Sequence, residues 1–64
     1  MEAWQDRVIA EKRELDEKIG KLAEFMEGEP FDRLPLQDQG WLHSQHIAMQ
    51  AYSVALKMRI AHFK

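Results

Sequence analysis

The run Glu27-Gly28-Glu29-Pro30-Phe31-Asp32-Arg33-Leu34-Pro35 decides the fold, because no continuous helix can pass through it. Gly28 suits the C′ position that ends a helix, and Pro30 forbids continuation, since its ring clashes with the preceding turn and its nitrogen carries no hydrogen. Pro35 fits the first turn of a new helix, where a missing N–H leaves nothing unsatisfied. Between the prolines, Phe31 and Leu34 predict a short helical turn that folds both side chains inward as a lid. The expectation is an all-α chain. It is an antiparallel two-helix hairpin with a short helical turn in the connection, its helices covering about 3–27 and about 35–62.

Upstream of the turn, Trp4, Val8, Leu15, Ile19, Leu22, Phe25 and Met26 recur at helical spacing. Arg7/Glu11, Arg13/Glu17, Glu14/Lys18 and Glu17/Lys21 stand four apart and are expected to pair on exposed faces. The apolar stripe has a gap, because Glu11 and Lys12 fall where the next inward residue belongs. It therefore divides into Leu15 to Met26, which packs in the hairpin, and Trp4, Val8 and Ile9, which are expected to meet something else.

Downstream, the second helix has apolar residues on two sides. Leu42, Met49, Leu56, Ile60 and Phe63, with Tyr52 at the edge, form one stripe. Ile47, Ala51, Val54, Met58 and Ala61 form another on the opposite side. Ser44, Ala48 and Ala55 make a strip of small residues between them that continues into Arg59 and His62. The remaining strip is polar: His43, His46, Gln50, Ser53, Lys57 and Lys64. A helix apolar on two faces is a buried helix, and a hairpin covers only one face. The second stripe, with Val8 from helix 1, is expected to form the interface of a homo-oligomer.

Size and composition agree with this. The 64 residues form a single helical-hairpin domain, 1–64. A chain of that size hides only about 60% of the surface its unfolded state exposes, so it needs help to fold stably. It has no cysteine, which removes disulfide staples, thiolate zinc sites and thiol nucleophiles. No apolar run is long enough to span a membrane and no signal-peptide pattern is present, so the expected location is cytosolic. The formal charge of −2 hides an asymmetry, because eight acids and five bases lie in residues 1–27 and no carboxylate follows Asp38. The last stretch carries His43, His46, His62, Lys57, Arg59 and Lys64 and attracts anions, either as helix C-terminal cations complementing the macrodipole or as a functional site.

No catalytic set is present: there is no nucleophile elbow, no glycine-rich phosphate loop and no acid/base pair. His43 and His46 are too few to hold a metal and read as solvated or interfacial. A helix-turn-helix reader of duplex DNA is disfavoured by the long connection and the acidic net charge. Lys57 and Arg59 remain as anion ligands or salt-bridge partners, with arginine the better phosphate fork. Trp4 reads either as interface filler or as a stacking platform for a nucleobase. Trp41, beside Leu42 at the closed end, reads as a packing residue.

One series of residues has a wider resonance. The run Glu11-Lys12-Arg13-Glu14-Leu15-Asp16-Glu17-Lys18-Ile19, then Lys21-Leu22, Phe25, Phe31, Leu34, Pro35, and then Leu42, Gln45, Ala48, Met49, Tyr52, Leu56, Arg59 and Ile60, resembles the short helical-hairpin proteins of tailed phages. These include the anti-CBASS cyclic-oligonucleotide sponges, whose hairpin domain is shared with anti-Thoeris sponges. The resemblance implies a homo-oligomer, typically a hexamer, acting in the host cytoplasm. It would bind cyclic di- and trinucleotide immune messengers without a cofactor and release them intact. Lys18 resembles the phosphate-contacting lysine of the dinucleotide pocket, and Arg59 the arginine lining the trinucleotide pocket. Trp4 is the nearest substitute for the family's N-terminal stacking tyrosine. Lys57 and Met58 stand where smaller or hydroxyl-bearing residues are usual. The alternative is an oligomeric helical interaction protein whose basic patch meets an acidic protein partner.

Overall fold

The computed structural model describes residues 1–64 as three helices: α1 (Ala3–Met26), α2 (Glu29–Asp32) and α3 (Leu36–Ala61). Helices α1 and α3 pack side by side and α2 closes one end of the hairpin. No helix is long and apolar enough to cross a membrane.

The half-buried and buried positions of α3 are Gln39, Leu42, His46, Met49, Ser53, Leu56 and Ile60, with Phe63 just beyond its end, alternating in steps of three and four. Those of α1 are Gln5, Val8, Lys12, Leu15, Ile19, Leu22 and Met26, with Ile9 and Ala23 beside them. This is the seven-residue repeat of a coiled-coil seam, kept unbroken through the position read as a gap. Lys12 fills that position. Its Nζ donates to Asp16 Oδ2 at 2.7 Å and to Ser53 Oγ at 3.1 Å, while the Ser53 hydroxyl donates to Asp16 Oδ1 at 2.5 Å. A polar layer inside an apolar seam fixes register, because a slip of one turn would set Lys12 against an apolar side chain and strand its charge. At the open end the edge of Trp4 meets Phe63, with ring centroids 5.1 Å apart, in the same register.

Because the seam reaches the N-terminus, Val8 is buried by the hairpin itself at 6% exposure and is not free for another subunit, contrary to the expectation from the divided stripe. His46 and Ser53, expected on the solvated strip, lie in the seam instead. His46 lies one heptad before Ser53 in the seam, and its Nε2 is buried without a partner. Gln5 is buried because its Oε1 accepts the Glu2 N–H at 2.9 Å, satisfying one of the free donors that open α1.

The closed end follows the turn chemistry with one change. Gly28 has φ −99° and ψ 167°, so it is an extended N-cap of α2 and not a left-handed C′ residue. A Cβ there would sit 3.4 Å from Pro30 Cδ, an ordinary van der Waals contact, so neither crowding nor a positive φ reserves the position for glycine. Pro35 is likewise the N-cap of α3 with extended backbone, one residue ahead of its expected place. The Gln39 amide holds the connection by donating to the carbonyls of Leu34 and Asp32 at 2.9 and 3.3 Å. Phe31 is the lid, 5% exposed, edge-on to Phe25 at 6.2 Å and to His43 at 5.5 Å, and Leu34 is half-buried beside it.

The result is a rod of 47 × 15 × 13 Å with a radius of gyration of 14.7 Å. A compact globule of this length would have about 11 Å. Only Val8, Phe31, Leu56 and Gln5 are fully buried. None of the four expected ion pairs of α1 forms; the pairs present are Lys12–Asp16 and the exposed Arg33–Glu29 at 3.3 Å.

The polar layer yields a pH prediction. The Lys12 ammonium, and then the Ser53 hydroxyl, hold the Asp16 carboxyl below its ordinary value of 3.8. A carboxylate with a depressed folded-state value contributes stability that is complete above its unfolded value and disappears as pH falls through the folded one. Asp16→Asn is therefore expected to lower the thermal midpoint at neutral pH and to converge on the parent as the pH falls below 3.8 and through the depressed folded-state value. Thermal melts by circular dichroism from pH 7 to pH 2 measure this; parallel curves would exclude the layer as a source of stability.

Candidate ligand-binding face

The hairpin encloses no pocket, and its exposed cations and aromatic rings lie on its outer faces. The pairing of Lys12 with Ser53 sets the level of every other residue across the seam. Lys18 on α1 stands level with Ile47, about 18 Å along the axis from the level of Arg59. Lys57 and Arg59 are two residues apart, about 200° around α3, and project on opposite flanks. Trp4, 46% exposed, leans on Phe63, which follows Arg59 by one turn. One chain thus brings Trp4 and Arg59 to the same end, holds Lys18 near the middle of that flank, and turns Lys57 away.

Lys18, Lys57 and Arg59 are exposed and have no carboxylate within ion-pairing distance. They share this with Arg7, Arg13, Lys21 and Lys64, since Lys12 and Arg33 are the cations that form ion pairs. His62, the C-cap of α3, is otherwise engaged: its Nδ1–H donates to the Met58 carbonyl at 2.7 Å.

The aromatic residues change more than the cations do. Trp41, read as a packing residue, is 66% exposed, and Tyr52, read at the edge of the inner stripe, is 46% exposed. Both lie on the flank of Arg59, in the series Trp41, Gln45, Ala48, Tyr52, Ala55, Arg59, which again steps by four and three. Counting that repeat would have found the face; the pull of Leu42 next door obscured it. The second apolar stripe is uncovered as expected, with Ile47 65%, Val54 58% and Met58 52% exposed and Ala51 open between them.

Such a surface can stack planar rings on indole and phenol and fork phosphates with guanidinium or ammonium groups. No group of three or more His, Cys, Asp or Glu is placed to hold a metal ion.

Comparison with known proteins places this geometry in a family. The family described as Sequestin matches residues 2–62. A curated relative, the uncharacterized 7.5 kDa protein in the denB-rIIB intergenic region of Enterobacteria phage T4, is 41% identical over 64 residues and is covered in full, as is this chain. No solved structure matches. A family match from residue 2 to residue 62 and an end-to-end phage relative have one reading: the chain belongs to the Sequestin family.

Proposed function

We propose that this protein sequesters cyclic oligonucleotide immune messengers, cyclic dinucleotides and trinucleotides, during phage infection and thereby blocks CBASS-type defence. It holds the messenger in the host cytoplasm without altering it, so no catalytic residue or cofactor is required. The observation that carries this reading is the coexistence of unpaired cations and exposed aromatics on a chain of net charge −2. Unpaired Lys18 and Arg59 supply phosphate ligands, and Trp4, Trp41 and Tyr52 supply rings. The family's description and the phage relative support it.

Assembly is part of the same proposal. Ile47, Ala51, Val54 and Met58 present an apolar stripe that the hairpin leaves exposed. Covering it in a homo-oligomer, with a hexamer as the family resemblance suggests, gives walls to sites that one rod leaves open.

Two experiments test these statements. Isothermal titration of the purified protein with cyclic di- and triadenylate is expected to give saturable heat, with the nucleotide recovered intact. Arg59→Ala is expected to weaken the trinucleotide more, Lys18→Ala the dinucleotide more, each by about ten-fold or greater. Both variants should keep the parent's thermal midpoint, because neither side chain has a partner to lose. Equal effects on both ligands would overturn the residue assignment. Saturable binding of an acidic peptide with no nucleotide heat would favour the alternative, an interaction protein.

Val54→Glu is expected to give a lower mass in light scattering while the helical circular dichroism signal persists, since Val54 is 58% exposed in the hairpin. An unchanged mass would remove the stripe from the interface.

A further inference from the structure

Arg59 lies in the last turn of α3, just ahead of the C-cap His62, and it is exposed. An arginine placed there meets two difficulties as an anion ligand. Helix ends fray, and the direction of a side chain is lost with the turn that carries it. The carbonyls that end a helix also carry partial negative charge, which opposes a phosphate. We propose that Phe63 and His62 are positioning residues for Arg59. Phe63 clamps the last turn of α3 to Trp4 of α1, and His62 occupies carbonyls that would repel the anion. The ligand rests on the sequestration reading; the clamp does not.

An α-helix leaves its last four carbonyls without an amide four residues on inside the helix. In α3 these belong to Met58, Arg59, Ile60 and Ala61, and three of them are occupied. The His62 ring donates from Nδ1 to the Met58 carbonyl at 2.7 Å, the His62 N–H to the Arg59 carbonyl at 3.2 Å, and the Phe63 N–H to the Ile60 carbonyl at 3.2 Å. A carbonyl only accepts, so the ring nitrogen facing it carries the proton. Both donating residues lie beyond the helix. Their bonds persist only while the chain past Ala61 is held in place.

Phe63 holds it. Past Leu56 the half-buried residues are Ile60 and Phe63, while Ala61, His62 and Lys64 are exposed. Phe63 meets Trp4 with ring centroids 5.1 Å apart and planes at 79°, the edge-to-face geometry that aromatic pairs prefer. Trp4 is a firm anchor because its own turn is closed at the start of α1. There the Gln5 N–H donates to the Glu2 carbonyl at 3.0 Å, and the Glu2 N–H donates to the buried Gln5 Oε1 at 2.9 Å. Phe63 follows Arg59 by four residues, about one turn, so anchoring it fixes the turn from which the guanidinium projects. Its ring faces α1, and it acts on an anion through Arg59. Lys18, about 18 Å away along the axis, draws nothing from this clamp and supplies the control.

Isothermal titration with cyclic tri- and diadenylate separates positioning from a general loss of structure. Phe63→Ala is expected to weaken triadenylate about five-fold or more and to leave diadenylate within about two-fold. Phe63→Tyr keeps the ring and is expected to bind triadenylate as the parent does. Phe63→Leu keeps an apolar contact without the ring; it replaces the alanine variant if that variant does not fold, and is expected to lose affinity for triadenylate alone. Adding Trp4→Ala to Phe63→Ala is expected to cost triadenylate little more, because the two rings act as one unit. Equal losses for both ligands, or fully additive losses from the two rings, overturn the positioning role.

The clamp is read separately, without ligand, by amide hydrogen exchange in NMR. The Ala61 and His62 amides are expected to exchange about five-fold faster in Phe63→Ala than in the parent. Unchanged exchange overturns the clamp. A wild type that binds no triadenylate overturns the ligand reading, and the exchange rates then decide the clamp by themselves.

Discussion

Helix α3 carries apolar side chains around more of its circumference than one partner helix can cover. Everything else about the molecule follows from that surplus. Leu56, 1% exposed, marks the satisfied side, and Ile47, at 65%, marks the other. The two sides are about 180° apart on the helix, so no tilt of α1 can reach both. The 64 residues form two long helices and a lid, and the outer side of α3 stays uncovered by the hairpin.

The seam that α1 does cover is not uniformly apolar, and its polar members have distinct consequences. Lys12, Asp16 and Ser53 satisfy one another and hold the register from which the positions of Lys18 and Arg59 follow. Their net energy is modest, because the pair is partly exposed and solvent screens it. What they contribute is uniqueness, since uniformly apolar seams tolerate slippage. His46 is the opposite case: its Nε2 is buried with no partner, a local cost that better-paired layers on either side must offset.

Much of the fold was legible because it depends on local chemistry. Pro30 and Pro35 forbid a continuous helix, and Phe31 is the large apolar side chain placed to cover the open end, so the lid could be read before any packing was known. The seam was less legible, because Lys12 is polar where the repeat needs an inward residue. Only its reach to Ser53, forty-one positions away in sequence, shows that the repeat never stops. Val8 was misplaced for the same reason. Gly28 was read for its freedom at positive φ, yet its backbone is extended and a Cβ there would meet only ordinary contacts. The expected ion pairs of α1 failed because exposed pairs on a helix are worth a few tenths of a kcal/mol, too little to hold long side chains together. The cations of the candidate face were legible from charge position. The exposure of Trp41 was not, because its neighbour Leu42 does turn inward and one residue is about 100° of rotation.

Sequestration sets a physical requirement different from catalysis, and the shape of this chain suits it. An enzyme clears a messenger many times per site, whereas a sponge clears one, so capacity per residue matters along with affinity. A nanomolar dissociation constant corresponds to about 12 kcal/mol, more than an open helix face supplies to a small ligand. In the proposed assembly, walls contributed by neighbouring copies would supply the rest without lengthening the chain, and symmetry would repeat each site at no further cost in sequence. Assembly and binding are then linked by mass action. A ligand that occupies only the paired state pulls chains together, and dilution weakens both at once. A short rod with one face folded and the other left uncovered is a small way to build such a coupled system.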